Sequence, residues 1–213
     1  MLISVHTQCM LVNMARAHSK VERGEKTAKV LIRVSRPMFS THGFSSVSAE
    51  SIVEAAGLTR GALYHHFNGK LGLFEAVFID CEREIATRIE TAAQLHRAAI
   101  DQLVGGSHAF LDACIDPKLR RIVIEDAPSV LGWPRWREID AIHGLALLRS
   151  SVERIHQEQK LHRYEIETLV YLLSGAMNEL AMWVSKSANS RKQLTSAKKN
   201  LELVIRSVFK PGC

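Results

Sequence analysis

The sequence predicts an all-α protein, in which a small N-terminal three-helix unit precedes a larger helical body. Helix-forming residues dominate the composition, while glycine (12) and proline (5) are sparse. Apolar residues recur at helical spacing along most of the chain, and no segment shows the strict alternation of a half-buried strand. Hydrophobic residues make up 46% of the 213 residues. That content is enough for a core in both units.

The first predicted helix spans residues 23–42 and ends at Gly43. Pro37 lies inside it, where the ring removes one backbone hydrogen bond and clashes with the carbonyl of Arg33. We therefore expect a kink in this helix. The first fourteen residues carry no charged side chain. Residues 1–20 are predicted to form a disordered leader, or to result from a start codon assigned upstream of the true one.

Two short helices follow. Ser48 is a good N-cap for the first of them, and Gly57 stands where a helix C-terminus favours a residue with positive φ. Thr59 then caps a second short helix over 60–66. Helices this short are marginal alone, so they need a partner surface.

A longer series of helices makes up the rest of the chain. Asp116-Pro117 and Pro128 interrupt it, and Gly132-Trp133-Pro134 opens a long helix. The predicted helices cover residues 70–98, 101–115, 118–126, 133–159, 164–187 and 190–209.

Positive charge is concentrated near the N-terminus. Residues 15–73 hold nine Lys/Arg and four Glu, a surplus of five, whereas the whole chain has a net charge of +6. A basic unit on a nearly neutral body indicates a surface for a polyanion, although a solvated basic helix face gives the same count.

Several function classes lack their sequence signals. The four cysteines are scattered without metal-ligand spacing, and no apolar run has the length of a membrane span. His65 and His66 are adjacent, so on a helix they point apart, and no metal or cofactor is expected. No catalytic motif of a hydrolase, metalloprotease or nucleotide-binding enzyme is present. The alternatives that stay open are an all-α enzyme and a ligand-binding or scaffold protein with a degenerate N-terminal unit.

The two short helices and their glycine turn have the helix-turn-helix pattern. The second helix is small enough for the major groove of DNA, where Arg60 could bind guanine O6 and N7. Arg60 could instead bind a phosphate. Gly61 removes a side chain where the helix must come close to DNA. The candidate DNA-binding residues are Ser46, Ser48, Thr59, Arg60, Gly61, Tyr64, His65, His66 and Lys70.

These residues fall within a longer signature. Gly43-Phe44 and the stretch Ile52–Val77, IVEAAGLTRGALYHHFNGKLGLFEAV, resemble the TetR family of transcriptional regulators. Residues Glu125–Asp140 also resemble a C-terminal domain of that family. The resemblance implies an all-α homodimer that binds a double-stranded DNA operator and responds to a small molecule. It assigns Tyr64 and Lys70 to phosphate contacts, and it implies a regulator without enzymatic activity in the cytoplasm.

The resemblance also implies two sites in the body. Candidate pocket residues are Phe110, Cys114, Trp133, Trp136 and His143, each of which could instead be core. The last two helices have broad apolar faces that could be core or could meet a second copy. The candidate interface residues are Leu169, Leu173, Ala176, Met177, Leu180, Leu201, Val204 and Val208. The predicted organisation is a leader (1–20), a DNA-binding domain (21–68) and a ligand-binding and dimerisation domain (69–213).

Overall fold

A computed structural model describes residues 5–159 and 165–210 of the chain, without the side chains of 5–21, 23 and 159. Those described residues are helical and contain no β-strand, as predicted. The helices are α1 (Val5–His42), α2 (Ala49–Ala56), α3 (Arg60–Phe67), α4 (Lys70–Ala93), α5 (Ala99–Ile115), α6 (Pro117–Arg120), α7 (Ala127–Val130), α8 (Trp133–Asp140), α9 (Ala146–Gln159), α10 (Ile166–Ser185) and α11 (Ser190–Val208).

Helix α1 differs from its prediction at both features that we singled out. It begins at Val5, so residues 5–20 are helical where we expected a disordered leader, while residues 1–4 lie outside the described residues. It also continues past Pro37 to His42 without a break. The side chain of Pro37 is exposed, so its ring does not enter the core.

Helices α1 to α3 pack on the first half of α4 around three phenylalanines. The rings of Phe39 and Phe44 both meet the edge or face of Phe74, with centroids 5.2 Å and 5.0 Å away. Leu31, Ile52 and Leu63 are fully buried beside them. Burial of this kind holds two short helices that could not stand alone.

We call helices α1 to α3 the head and the rest of the chain the body. The core of the head extends beyond residue 68, where we predicted the DNA-binding domain to end. The same cluster of buried side chains includes Leu119, Ile122, Val123 and Trp136, which come from the body. Arg36 of α1 also forms ion pairs with Asp80 (2.7 Å) and Glu84 of α4. The head and the near end of the body therefore share one core, whereas the second buried cluster lies mainly among α5, α9, α10 and α11.

Two π-helical segments interrupt the body. One spans Arg121–Asp126 between α6 and α7, and the other spans Ala141–Leu145 between α8 and α9. We predicted a break near Pro128 and one continuous helix from 133 to 159. Short π-helical segments carry no strong sequence signal, and they often occur at functional sites.

Candidate nucleic-acid interface and ligand groove

The helix-turn-helix is built from local capping interactions. Ser48 Oγ accepts a hydrogen bond from Ser51 N (3.0 Å), and Thr59 Oγ1 accepts one from Ala62 N (3.2 Å). Gly57 ends α2 with φ 62°, and its N–H donates to carbonyls of the last turn. Asn68 ends α3 with φ 55°. The predicted caps are confirmed, and they fix the angle at which α3 leaves α2.

The exposed face of α3 carries four of the candidate residues, namely Arg60, Gly61, Tyr64 and His65. An exposed tyrosine on a short basic helix suits contact with a DNA backbone. Its ring lies against Gly69, where a Cβ would be 3.4 Å from Tyr64 Cε1. Gly69 has φ 105°, a backbone conformation that glycine adopts without strain.

The remaining candidates have other environments. His66 is half-buried and turns toward α1, since its Cε1 would lie 3.5 Å from a Cβ on Gly24. His66 is therefore placed in the contact between α3 and α1 rather than on the open face of α3. Ser48 and Thr59 are exposed, but their oxygens already act as helix caps. Ser46 is exposed in the turn before α2.

Arg60 has partners on both helices of the motif. Its Nη1 is 2.9 Å from Glu50 Oε1 of α2, and its Nη2 is 3.5 Å from the hydroxyl of Tyr64. The guanidinium carbon lies 5.5 Å from the centre of the Tyr64 ring. The contact with Tyr64, and then the charge of Glu50, raise the pKa of Arg60 above its usual value. The side chain therefore has a defined direction before DNA arrives.

Replacement of Arg60 by alanine should weaken binding to a preferred duplex by about 5- to 150-fold and relax the preference at one base position. Wild-type and variant protein each select binding sites from random duplexes, and the two resulting sequence logos are compared. Lys199→Ala, which removes an exposed charge on α11, is the control for general charge loss. An unchanged logo would assign Arg60 to a phosphate.

Lys70 is more constrained than we predicted. Its Nζ donates to the carbonyl oxygens of Phe44 and Val47, both at 2.9 Å, and lies 4.1 Å from the centre of the Phe44 ring. An ammonium has three N–H donors, so one remains for a phosphate. Lys70 thus fastens the turn between α1 and α2 to the start of α4, besides any contact with DNA.

Lys70→Ala should have two effects, because the side chain has two roles. It should lower the slope of log K against log[salt] by about one. It should also lower the melting temperature, since the partly buried carbonyl groups of Phe44 and Val47 lose their hydrogen-bond donor. Salt-series binding and thermal unfolding measure these effects separately. A variant with wild-type melting temperature would show that the two carbonyl contacts contribute no stability.

The body contains a groove between α8 and α10 with a volume of about 500 Å³. Its lining is mainly aromatic and aliphatic. Trp133 and Trp136, which we considered as pocket or packing residues, both line it, and their rings stack with centroids 4.9 Å apart. The lining residues are Val123, Ile124, Pro128, Trp133, Trp136, Arg137, Tyr171, Gly175, Asn178, Glu179 and Met182.

The other predicted pocket residues do not reach this groove. Phe110 lines a separate interior cavity of about 30 Å³. Cys114 is fully buried in the core of the body, and His143 lies half-buried in the second π-helical segment without lining any described cavity. The alternative assignment of Cys114 to the core therefore fits the structure, whereas Phe110 lines a cavity separate from the tryptophan groove. A helical pattern shows that they face inward and does not show which cavity they face.

A buried acidic pair lies where α4 meets α8. Glu82 is 6% exposed, and burial followed by the charge of Asp140 raises its pKa to about 8. Burial also raises the pKa of Asp140, although its ion pair with Arg137 acts in the opposite direction. Arg137 Nη1 also donates to Ser174 Oγ of α10 (3.1 Å). This cluster was not found from the sequence, because nothing there marks Glu82 as inward-facing.

The predicted dimer residues fall into two groups. Leu169, Leu173, Met177 and Leu201 are at most 8% exposed within the chain itself, so they have almost no surface left to bury against a partner, and their assignment is wrong. Leu180 and Val208 pack partly on the same core. Ala176 and Val204 are exposed. The large exposed apolar side chains on these two helices are Tyr171, Leu172, Trp183, Leu203 and Val204.

Neither a metal site nor a membrane span occurs among the described residues. Within the described ranges, no group of three or more His, Cys, Asp and Glu side chains could hold a metal ion. The rings of His65 and His66 are 5.0 Å apart in an edge-to-face arrangement. No helix among the described residues is long and apolar enough to cross a membrane.

Comparison with known proteins agrees with this geometry. A helix-turn-helix head on an all-α body defines the chain as a DNA-binding regulator of transcription. The family model of bacterial regulatory proteins of the tetR family matches residues 31–77, and that of the tetracyclin repressor-like C-terminal domain matches residues 100–208. The protein belongs to the TetR family.

Three relatives illustrate the extent of the similarity. The TetC protein of transposon Tn10 from Escherichia coli is 26% identical over 79% of this chain and 85% of its own length. The regulator AcrR from Shigella flexneri is 29% identical over 51% of each chain. A crystal structure of a TetR-family transcriptional regulator from Pectobacterium atrosepticum has a TM-score of 0.77 and 26% identity, over 90% of this chain and 98% of its own.

Proposed function

We propose that the protein is a ligand-responsive repressor, which binds a pseudo-palindromic operator as a homodimer in the cytoplasm and is released by a small molecule. The observation that carries the proposal is the exposed face of α3. Arg60, Gly61, Tyr64 and His65 are presented there by two capped helices and a phenylalanine core. A helix of this size enters the major groove with its N-terminal residues at the base edges.

The homodimer interface in this proposal is the outward face of α10 and α11. Tyr171, Leu172 and Trp183 of α10 are 47–65% exposed, as are Leu203 and Val204 of α11. Large apolar side chains in this number on one face favour a partner surface. Gly175 and Ala176 add little side-chain volume, so a second helix could approach closely there. A two-fold axis through this face would place two α3 helices on one duplex.

The effector site in this proposal is the groove at Trp133, Trp136 and Tyr171. Its aromatic walls favour a planar apolar molecule, because ring faces offer large flat contact areas. Tyr171 belongs both to the groove and to the outward face of α10. The groove would therefore lie at the edge of the dimer interface, where a bound molecule could change the angle between two subunits.

The first π-helical segment connects this groove to the head. Val123 and Ile124 line the groove. In the same segment, Asp126 Oδ2 accepts a hydrogen bond from Phe44 N (2.8 Å), and Arg121 Nη1 donates to Thr41 O (2.5 Å). Both contacts are with the corner between α1 and α2. Displacement of the segment by a ligand would therefore move the corner that Lys70 also holds.

Helix α4 offers a second connection, because it contributes buried side chains to the core of the head and continues into the body. A coupling of this kind requires that the ligand prefer one of two arrangements of the heads, because equal affinity for both shifts nothing. The distance between the two α3 helices, compared between operator-bound and ligand-bound dimers, would test it. Equal separations in the two states would contradict the proposal.

The proposed function is tested by selecting binding sites from random duplexes with the full-length protein. We expect a pseudo-palindrome with half-sites about one helical turn apart, and binding that weakens steeply with salt. Native mass spectrometry of the complex should give two subunits per duplex, or a multiple of two. Weak binding without sequence preference would support a scaffold protein with a degenerate head instead.

A further inference from the structure

Glu50 is an acidic residue on a surface that the proposed function presents to DNA. It lies in the first turn of α2, and its carboxylate is 2.9 Å from Arg60 at the start of α3. An acid in the first turn of a helix is favourable, because it lies near the positive end of the helix dipole. We propose that Glu50 is a positioning residue, which holds the Arg60 guanidinium in the orientation that reads one base. The inference rests on the proposed function.

The geometry leaves Arg60 able to bind a base. A guanidinium has five N–H donors. Glu50 engages Nη1, and the Tyr64 hydroxyl is 3.5 Å from Nη2. Three N–H groups remain, and a bidentate contact with guanine O6 and N7 requires two. Glu50 and Tyr64 thus restrict the side chain from two sides without using up its donors.

The backbone that carries Glu50 is ordered by a helix cap. Ser48 caps α2 through the hydrogen bond from Ser51 N, so Glu50 stands on an ordered first turn. An exposed ion pair between two long side chains is worth little to folding, because solvent screens it and both side chains lose freedom. Both side chains here are more than 60% exposed. The pair therefore contributes little to stability, and the effect proposed for it is on the orientation of Arg60.

Glu50 has opposite effects on the affinity for DNA in general and on the affinity for the preferred sequence. A carboxylate near DNA repels every phosphate, which lowers affinity for all sequences alike. An Arg60 side chain that is already oriented binds its preferred base more tightly, because it loses less conformational freedom on binding. Glu50 therefore lowers non-specific binding and raises discrimination. Glu54, on the same helix, is also exposed and forms no ion pair within the described residues, so it has only the first effect.

The test compares Glu50→Gln with the matched control Glu54→Gln in the full-length dimer. The ratio of affinities for a selected duplex and a random duplex is measured at constant salt. Glu50→Gln should lower this ratio by up to about fivefold, and should flatten the logo at the same position that Arg60→Ala flattens. In the Arg60→Ala background, Glu50→Gln should change the ratio no further. Glu54→Gln should increase the affinity for both duplexes by the same factor.

The outcomes separate this inference from the proposed function. If wild-type protein selects a sequence but Glu50→Gln selects the same logo as Glu54→Gln, Glu50 acts only as a general negative charge and the inference is wrong. If Glu50→Gln sharpens the logo, the ion pair restrains Arg60 from the base, which also overturns it. If wild-type protein selects no sequence, the proposed function and the inference fall together.

Discussion

Replacement of Gly72 by alanine is expected to lower the melting temperature and to abolish sequence-specific DNA binding. Gly72 lies in the first turn of α4, where an added Cβ would be 1.9 Å from the carbonyl oxygen of Phe67 at the end of α3. That atom belongs to the backbone, so the clash cannot be relieved by a side-chain rotation. One of the two helices must move, and with it the contact that orients α3.

The expected cost is about 3 kcal/mol, as for other overpacked sites. For a chain of this size that corresponds to a loss of roughly 6–12 °C in melting temperature. Thermal unfolding and a mobility shift on the selected duplex are the measurements. A Gly72→Ala protein with wild-type melting temperature and affinity would show that α3 and α4 are not in this close contact.

Gly61→Ala is the matched control for this prediction. A Cβ on Gly61 would meet only Thr59 Oγ1, at 3.8 Å, so α3 can accept it. Alanine in an exposed helix is more favourable than glycine by roughly 0.5–1 kcal/mol, so the melting temperature should stay the same or rise. DNA binding should nevertheless weaken, because the methyl group projects from the exposed face of α3. The two variants thus separate stability from approach to DNA.

Glu82→Gln is expected to stabilise the protein, by an amount that grows as the pH rises. The pKa of Glu82 is about 8 in the folded protein, and about 4.3 is usual for an unfolded chain. Between these values the folded state keeps a proton that the unfolded state has released. The free energy of unfolding of the wild type therefore falls as pH rises through this window.

Glutamine has no proton to lose, so the variant should escape that fall. The difference in the free energy of unfolding between Glu82→Gln and the wild type should be small near pH 5 and on the order of 4 kcal/mol above pH 8. Urea unfolding at pH 5, 7 and 8.5 measures it. Glu90→Gln, which changes an exposed carboxylate on the same helix, is the control. The other groups facing this site, Asp140, Arg137 and Cys114, are present in both proteins.

If the wild type and Glu82→Gln lose stability in parallel between pH 5 and 8.5, Glu82 is ionised in the folded state and the argument from its burial is wrong. A variant that is less stable at every pH would mean that the protonated carboxyl makes a hydrogen bond that the amide cannot replace. Either result would be visible in the same unfolding series.

The helix-turn-helix could be predicted from sequence because its determinants are local. Ser48, Gly57 and Thr59 cap their helices through contacts within a few residues, and such contacts follow from residue type. Lys70 shows the limit of this reasoning. The sequence places a lysine at a helix start, whereas the carbonyls that bind it come from residues 44 and 47.

The body was predicted less well, because its helices are apolar on more than one side. On α10, Leu169 and Leu173 face the core whereas Tyr171 and Leu172 face outward. Periodicity alone does not decide between such faces. The π-helical segments add a residue per turn, which changes the direction of every later side chain. Trp136, which precedes the second segment, lines the groove, whereas His143, which lies inside it, does not.

The central feature of the proposed function is that two α3 helices read the major groove of one duplex. Methylation interference on the selected duplex tests this directly, because guanine N7 lies in the major groove and adenine N3 in the minor groove. We predict interference from guanine N7 in two half-sites about 10 base pairs apart, with the signal at one position lost in Arg60→Ala. Interference confined to adenine N3, or to a single half-site, would contradict the account.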